Sequence, residues 1–259
     1  MEIKKLNAAR GWIWVKQGYQ LIMRNPLLSI TLALIGALSM FVMLKVPLFG
    51  PLLAVLMMPV LMAGYMRVCR ALEEEEEVEL THLFAGLKKN AARLIALGSF
   101  TVLGLLIASA AMMFIGGEAL TTLLEDFQST SDPQLLAEAL WAAGSSVALS
   151  LLVGFTLTIV LILALQYAPM LVFFNDMPPF AALRASLSGT LRNLMPYTVY
   201  SLIMQAIALV LSMLPFNIGL IILLPLGFTS LYVSYRNIFP FAGEIQPAND
   251  AFTPDKGVF

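Results

Sequence analysis

Long apolar stretches dominate the chain and alternate with short polar connections. A helix that spans the hydrocarbon core of a bilayer needs about 20 mostly apolar residues. Six stretches without a charged residue meet this requirement, at positions 26–44, 48–66, 94–117, 141–175, 194–214 and 217–235. Because only a few residues separate the first two and the last two, each of these pairs is expected to form a tight helical hairpin. The pattern predicts an all-α fold, a polytopic membrane bundle of six transmembrane helices.

The composition supports the membrane assignment. The chain is 59% hydrophobic and 12% charged, with a mean hydropathy of +0.86, whereas soluble domains carry about 25% charged residues. The surplus apolar surface therefore needs lipid around it. The net charge of −1 gives no indication of a nucleic-acid partner.

The basic residues predict the orientation. Fourteen of the fifteen lysines and arginines fall on one side of the predicted spans, and only Lys45 lies on the other. The longest connection on that other side, 118–140, holds five acidic residues and no basic one. Short cytoplasmic loops are rich in lysine and arginine, so we expect both termini to be cytoplasmic. The amino-terminal stretch lacks the pattern of a cleaved signal peptide, and the first span is expected to direct insertion.

An internal repeat is indicated by Asn25, Asn90 and Asn193, each of which follows a basic residue. Apolar residues occur ten positions before each Asn (Val15, Leu80, Leu183) and six positions before (Tyr19, Phe84, Leu187), a spacing that places both on one helical face. We interpret the chain as three parallel units, about 7–72, 80–177 and 178–241. Each unit consists of an amphipathic cytoplasmic helix followed by a helical hairpin. Chance similarity between apolar segments is the alternative. Together the units form one membrane domain, 1–241, followed by a flexible cytoplasmic tail, 242–259.

The returning helix of each unit carries a proline in its cytoplasmic half: Pro59, Pro169 and Pro225. Proline removes a backbone donor and bends a helix. Three bends at comparable depth are expected to splay the cytoplasmic ends of the second, fourth and sixth spans.

The first amphipathic segment, about 7–24, places Trp12 where an interfacial anchor is expected, with Trp14 as a second anchor. The helix is expected to lie in the headgroup plane or beneath the bundle. A dedicated lipid-sensing or partner-docking helix is the alternative.

The chain offers little chemistry for catalysis. No ionisable residue lies inside a predicted span, and Gln166 and Gln205 are expected either to form hydrogen bonds between helices or to contact a substrate. Cys69 and His82 are each the single residue of their type, so neither a disulfide within the chain nor a Cys/His metal cluster can form. His82 is interpreted as a solvated or capping residue, with a catalytic base as the alternative. We predict a protein that is not an enzyme and that holds no cofactor or metal.

Two polar segments have local interpretations. The acidic run 73–77, together with Glu79, is expected to pair with nearby arginines or with Lys88 and Lys89, although an acidic docking surface for a basic partner is the alternative. Asp176 is expected to cap the helix that follows it, which begins at Pro178 and Pro179.

A set of short motifs resembles an uncharacterised family of bacterial six-helix inner-membrane proteins. The motifs include 9–12 (ARGW), 24–26 (RNP), 69–72 (CRAL), 83–86 (LFAG), 168–169 (AP), 192–193 (RN) and 235–239 (YRNIF). The resemblance extends over nearly the full length and implies an inner-membrane location, without catalytic residues or cofactors. The plan is also loosely similar to the membrane domains linked to glycerophosphodiester phosphodiesterases.

The leading functional hypothesis is a structural, accessory, or lipid- or partner-binding membrane protein whose cytoplasmic layer is basic and aromatic. The expected partners are membrane lipids and an unidentified membrane or cytoplasmic protein. The alternative is a facilitator or a transporter of lipids or small molecules without an ion-coupling site. The candidate binding residues are Trp12, Trp14, Arg24, Arg67, Arg70, Lys88, Lys89, Arg93, Arg184, Arg192 and Arg236.

Overall fold

The computed structural model describes residues 3–129, 132–142, 144–213 and 219–241, and within these ranges every regular element is helical. The α-helices of the described ranges are α1 (Arg10–Arg24), α2 (Pro26–Leu44), α3 (Gly50–Glu73), α4 (Ala85–Lys88), α5 (Ala91–Ser129), α6 (Pro133–Ala142), α7 (Gly144–Leu165), α8 (Ala168–Asn175), α9 (Pro179–Arg192), α10 (Leu194–Ser212) and α11 (Gly219–Ile238). A 3₁₀ helix, Leu80–Phe84, precedes α4. The predicted turn around Pro215 and Phe216 and the predicted tail lie outside the described residues.

Five helical segments of the described chain are long and apolar enough to cross a membrane: Pro26–Leu44, Gly50–Glu73, Ala91–Ser129, Gly144–Asn175 and Leu194–Ser212. They correspond to the first five predicted spans. The sixth predicted span falls on α11, which is helical over 20 residues but is not among these five.

The third predicted span ends where α5 breaks. Gly117 has φ 54° and ψ −142°, a backbone conformation that residues with a Cβ rarely adopt. Beyond Gly117 the chain remains helical, and Leu120 and Leu123 pack with Val147 at the start of α7. The acidic connection 118–140 is therefore largely helical, and it includes part of α6.

The fourth predicted span is broken into α7 and α8 just before Pro169. The side chain of Ser186 in α9 bridges the break: its hydroxyl accepts a hydrogen bond from Tyr167 N at 3.0 Å and donates one to Leu163 O at 3.0 Å. A neighbouring helix thus satisfies backbone groups that the proline break releases, as apolar surroundings require. In contrast, α3 and α11 continue through Pro59 and Pro225.

Short helices of the predicted cytoplasmic layer pack against membrane helices from elsewhere in the chain. Helix α1 contacts α10 and α11, the 3₁₀ helix and α4 contact α3, and α9 contacts α7 and α8. The short helices are therefore built into the bundle, α1 through contacts that are distant in sequence and the others mainly through the helices that precede them.

The three units have buried residues at the same distances before their Asn residues, but these distances differ from the ones that the sequence pattern indicated. Among the residues that the pattern places on one helical face, Val15 is 5% exposed, whereas Leu80 and Tyr19 are 51% and 52% exposed. The positions seven before (Gly18, Leu83, Ser186) and four before (Leu21, Gly86, Gly189) are all buried. The shared contact uses several small residues, which let backbones approach closely, and a pattern of large apolar side chains does not reveal them.

Candidate functional site

The carboxyl ends of α3, α8 and α11 meet in a cluster of arginine and aromatic side chains. The Arg70 guanidinium lies 4.5 Å from the centre of the Phe241 ring and 5.6 Å from that of Phe174, and the Arg236 guanidinium lies 5.6 Å from the Phe241 ring. Cations at this distance from a ring face are attracted by its quadrupole. The predicted candidates Arg70 and Arg236 are thus brought together, although they are far apart in the sequence.

Glu73 and Asn175 tie the three helix ends together. The Glu73 carboxylate forms an ion pair with Arg236 and accepts a hydrogen bond from the Tyr232 hydroxyl at 2.7 Å. The Tyr235 hydroxyl donates to Asn175 Oδ1 at 2.5 Å. The prediction that the proline bends splay these ends is therefore wrong, because charged and polar side chains at the ends hold them in contact.

Three further carboxylates of the acidic run, those of Glu74, Glu75 and Glu76, pair with arginines. The guanidinium nitrogen and the carboxylate oxygen lie 2.8 Å apart in the pair of Arg70 and Glu74. The corresponding distance is 3.6 Å for Arg24 and Glu75 and 2.5 Å for Arg67 and Glu76. The hydrogen bond from Arg67 lowers the pKa of Glu76 below its ordinary value. Arginine therefore neutralises much of the run, as the local interpretation expected, although the lysines predicted as partners take no part in these pairs.

Arg24 has a second role at the end of α3. Its Nη1 donates to Leu72 O and to Glu73 O, each at 2.8 Å. The last carbonyls of a helix lack partners within the helix, so a guanidinium at this position caps α3 and fixes it to the end of α1.

Lys89 and Arg93 converge with Asn90 on Asp176. Lys89 Nζ lies 3.3 Å from Asp176 Oδ2, Asn90 Nδ2 donates to Asp176 Oδ1 at 2.7 Å, and Arg93 Nη1 donates to Asp176 O at 2.7 Å. The hydrogen bond from Asn90, followed by that from Lys89, lowers the pKa of Asp176.

The expectation that Asp176 caps α9 was wrong. Pro178 occupies the N-cap position of α9, whereas Asp176 ends α8 in the left-handed conformation with φ 53°. No local sequence signal points to this role, because the partners of Asp176 lie more than eighty residues earlier in the chain.

The two tryptophan candidates have different environments. Trp12 is 56% exposed, whereas Trp14 is fully buried and packs edge-on against Tyr200 at 6.2 Å. The prediction that Trp14 is an interfacial anchor is wrong, because this face of α1 rests on α10 and α11. The remaining basic candidates, Lys88, Arg184 and Arg192, are exposed.

The other polar residues singled out by the sequence have structural contacts. His82 Nδ1 accepts the backbone N–H of Glu79 at 3.2 Å, which completes a capping box for the 3₁₀ helix. Gln166 Oε1 accepts a hydrogen bond from the Tyr197 hydroxyl at 3.3 Å, as expected for an interhelical contact, and Gln205 is exposed on α10.

Several cavities border the described helices. One of about 540 Å³ lies beside Arg24 and Glu75, and one of about 230 Å³ lies between α1, α11 and Glu73. Two apolar cavities, of about 290 and 280 Å³, lie deeper in the bundle and share Met58 and Met62 in their linings.

The sequence comparisons identify a relative. The chain is 32% identical over 219 residues to a protein of Burkholderia thailandensis named "probable inner membrane protein", and the alignment covers 81% of this chain and 77% of that relative. No family model matches the chain, and no solved structure matches it. The looser resemblance to domains linked to glycerophosphodiester phosphodiesterases has no support in these comparisons. The chain belongs to the family of this inner membrane protein, and it is a multi-pass membrane protein.

Proposed function

We propose that the protein is a non-enzymatic inner-membrane protein whose cytoplasmic layer binds anionic lipid headgroups. The observation that carries the proposal is the distribution of charge at the ends of α3, α8 and α11. Arginines pair with Glu73 to Glu76, while Lys88, Arg184 and Arg192 are exposed on the short helices of the same layer. Trp12 on α1 is also exposed, and exposed cations and tryptophan in one layer are typical of a surface that rests on a membrane.

The same proposal includes six spans, three parallel units and cytoplasmic termini. The six-span arrangement is supported by α11, because 20 helical residues at 1.5 Å each equal the thickness of the hydrocarbon core, about 30 Å. The three-unit plan is supported by the order of contacts. Each short helix packs on the returning helix of another unit: α1 on α11, α4 on α3, and α9 on α7 and α8.

A protein partner is the second candidate for the basic layer, and a carrier is the rival for the whole molecule. The apolar cavities inside the bundle have linings rich in Met and Leu, with few polar groups. Such linings offer a polar solute no hydrogen bonds to replace those it loses from water. They therefore favour the binding function over a pathway for a polar solute.

The test is to purify the protein from its host membrane in lipid nanodiscs and identify by mass spectrometry what co-purifies. The variant Lys88→Gln/Arg184→Gln/Arg192→Gln should lose most of the enrichment of anionic lipid. The free energy of binding to anionic lipid should weaken by about 3 kcal/mol, or roughly a hundredfold in affinity, because each cation near an anionic surface contributes about 1 kcal/mol.

Lys45→Gln is the matched control, because this exposed cation lies at the tip between α2 and α3, at the other end of the bundle. It should leave the enrichment unchanged. Anionic lipid that stays equally enriched in the triple variant would contradict the proposal. An enriched protein that the triple variant loses would point instead to the partner function.

A further inference from the structure

Two of the cavities follow the same helix, α2. The larger, of about 540 Å³, is bordered by Arg24, Asn25 and Leu28 at the start of α2 and by Glu75 and Glu77 after α3. The apolar cavity of about 290 Å³ begins at Ala33 and continues past Gly36. Leu28 and Ala33 are five residues apart, which corresponds to about 7.5 Å along a helix. A polar cavity at the membrane surface thus lies about one and a half turns from an apolar cavity within the span.

The apolar cavity has the properties of a site for a hydrocarbon chain. Its lining includes Met40, Leu61 and Phe228, and its edge is open at Ala37 and at Met58, which is 58% exposed. A dry apolar cavity of about 150 Å³ can bind a molecule as small as benzene, and this cavity is about twice as large. Because α2 spans the membrane, the medium at its open edge is the acyl chains of the lipids.

The polar cavity carries both signs of charge. The Arg24 and Glu75 side chains are 45% and 82% exposed, with their charged atoms 3.6 Å apart. Glu77 adds another exposed carboxylate to the lining. A purely anionic headgroup would meet the repulsion of the carboxylates, whereas a lone cation would interact with the carboxylates and make no use of Arg24. A headgroup with a phosphate and an ammonium complements both.

We propose that the two cavities, at the start of α2 and beside Gly36, together bind one zwitterionic phospholipid with a primary ammonium headgroup. Its phosphate lies at Arg24, its ammonium at Glu75 and Glu77, and one acyl chain enters the cavity beside Gly36. This inference rests on the proposed lipid-binding function, but it concerns a different lipid class and different residues from the exposed basic layer.

Gly36 provides a direct test of the acyl-chain cavity. A Cβ at Gly36 would have Leu83 Cδ1, 3.8 Å away, as its nearest contact, so a leucine at this position can extend into the cavity. Gly227 provides the matched control, because a Cβ there would likewise meet only one atom, Met204 Cε at 4.0 Å, and Gly227 is not part of the cavity lining. Both variants should fold, as thermal unfolding in detergent will verify.

The experiment is native mass spectrometry of delipidated protein with dioleoyl-phosphatidylethanolamine or dioleoyl-phosphatidylglycerol. The wild type should bind one phosphatidylethanolamine at least tenfold more tightly than phosphatidylglycerol. Gly36→Leu should weaken this binding tenfold or more, and Gly227→Leu should not. Glu75→Gln/Glu77→Gln should reduce the preference for phosphatidylethanolamine, because it removes the carboxylates that face the ammonium.

Equal binding of the two lipids, or binding that Gly36→Leu leaves unchanged, would overturn the inference. If the inference alone fails, enrichment of anionic lipid will still depend on Lys88, Arg184 and Arg192. If the proposed function alone fails, that dependence will be absent, while the single phosphatidylethanolamine remains sensitive to Gly36→Leu.

Discussion

At the scale of single residues, the Ser186 hydroxyl has the clearest structural role. It is fully buried and replaces the helical hydrogen bonds that are missing between Leu163 and Tyr167. Thr190 lies beside it, with its Oγ1 3.5 Å from Leu163 O. One side chain of α9 thus lets the fourth span be broken within apolar surroundings.

Ser186→Ala should destabilise the protein by about 1–3 kcal/mol, because it leaves a buried backbone N–H and a buried carbonyl without this partner. Ser188→Ala, two residues further along α9 at a partly exposed position, is the control and should have little effect. Thermal unfolding in detergent measures both variants. Equal stability of the two would mean that the Ser186 hydroxyl does not support the break.

The residue scale is also where sequence reasoning was weakest. Hydrophobic periodicity found α1 but did not distinguish Trp12, which is exposed, from Trp14, which is buried, because both residues suit a membrane interface. The ion pair between Glu73 and Arg236 also could not be predicted from local sequence, since it depends on α3 and α11 ending side by side.

At the scale of the elements, the packing of α1 depends on close approach to α11. A Cβ at Gly18 would lie 2.7 Å from Ser230 N and 2.8 Å from Ser230 Cα, distances shorter than contacts between non-bonded atoms allow. In an exposed helix interior, replacing glycine with alanine stabilises by about 1 kcal/mol. Overpacking a tight contact instead destabilises the folded state by about 1–3 kcal/mol. Because the new methyl group would meet backbone atoms, this destabilisation should exceed the stabilisation from higher helix propensity.

Gly18→Ala should therefore lower the free energy of unfolding. Gly36→Ala makes the same change on α2 with only one contact, at 3.8 Å, and should be neutral or stabilising. The two variants are compared by thermal unfolding in the same detergent. A stabilised Gly18→Ala variant would show that α1 is not held against α11 at this distance.

Elements that sequence predicts well are those specified by length and hydropathy. The first residues of the first five spans and of α1 were predicted to within three positions. For the spans the reason is that about 20 apolar residues in a row have few alternatives to a spanning helix. The position of the break before Pro169 was not predicted, because Pro59 and Pro225 lie in the same kind of sequence without breaking their helices. The difference arises from Ser186, which belongs to another helix.

At the scale of the whole molecule, the number of spans and the charge distribution decide the topology together. The carboxyl ends of α3, α8 and α11 lie at one end of the bundle. Basic residues from other parts of the chain, including Arg24, Lys89 and Arg93, contact these helix ends. The acidic residues of 118–140 lie in the part of α5 beyond Gly117, just before α6 and in α6, at the other end. Lysine and arginine are retained on the cytoplasmic side of short loops, so the cation-rich end should face the cytoplasm.

Fusions of alkaline phosphatase, which is active only outside the cytoplasm, test this topology. Activity is expected after Asp132 and not after Glu75, and the opposite pattern would reverse the orientation. A fusion after Phe241 distinguishes six spans from five, because an even number returns the chain to the cytoplasm and should leave the enzyme silent. A green fluorescent protein fused after Phe241 provides the complementary control, since it should fluoresce there if α11 crosses the membrane. Active phosphatase at Phe241 together with activity at Asp132 would instead mean that α11 remains on the outer side.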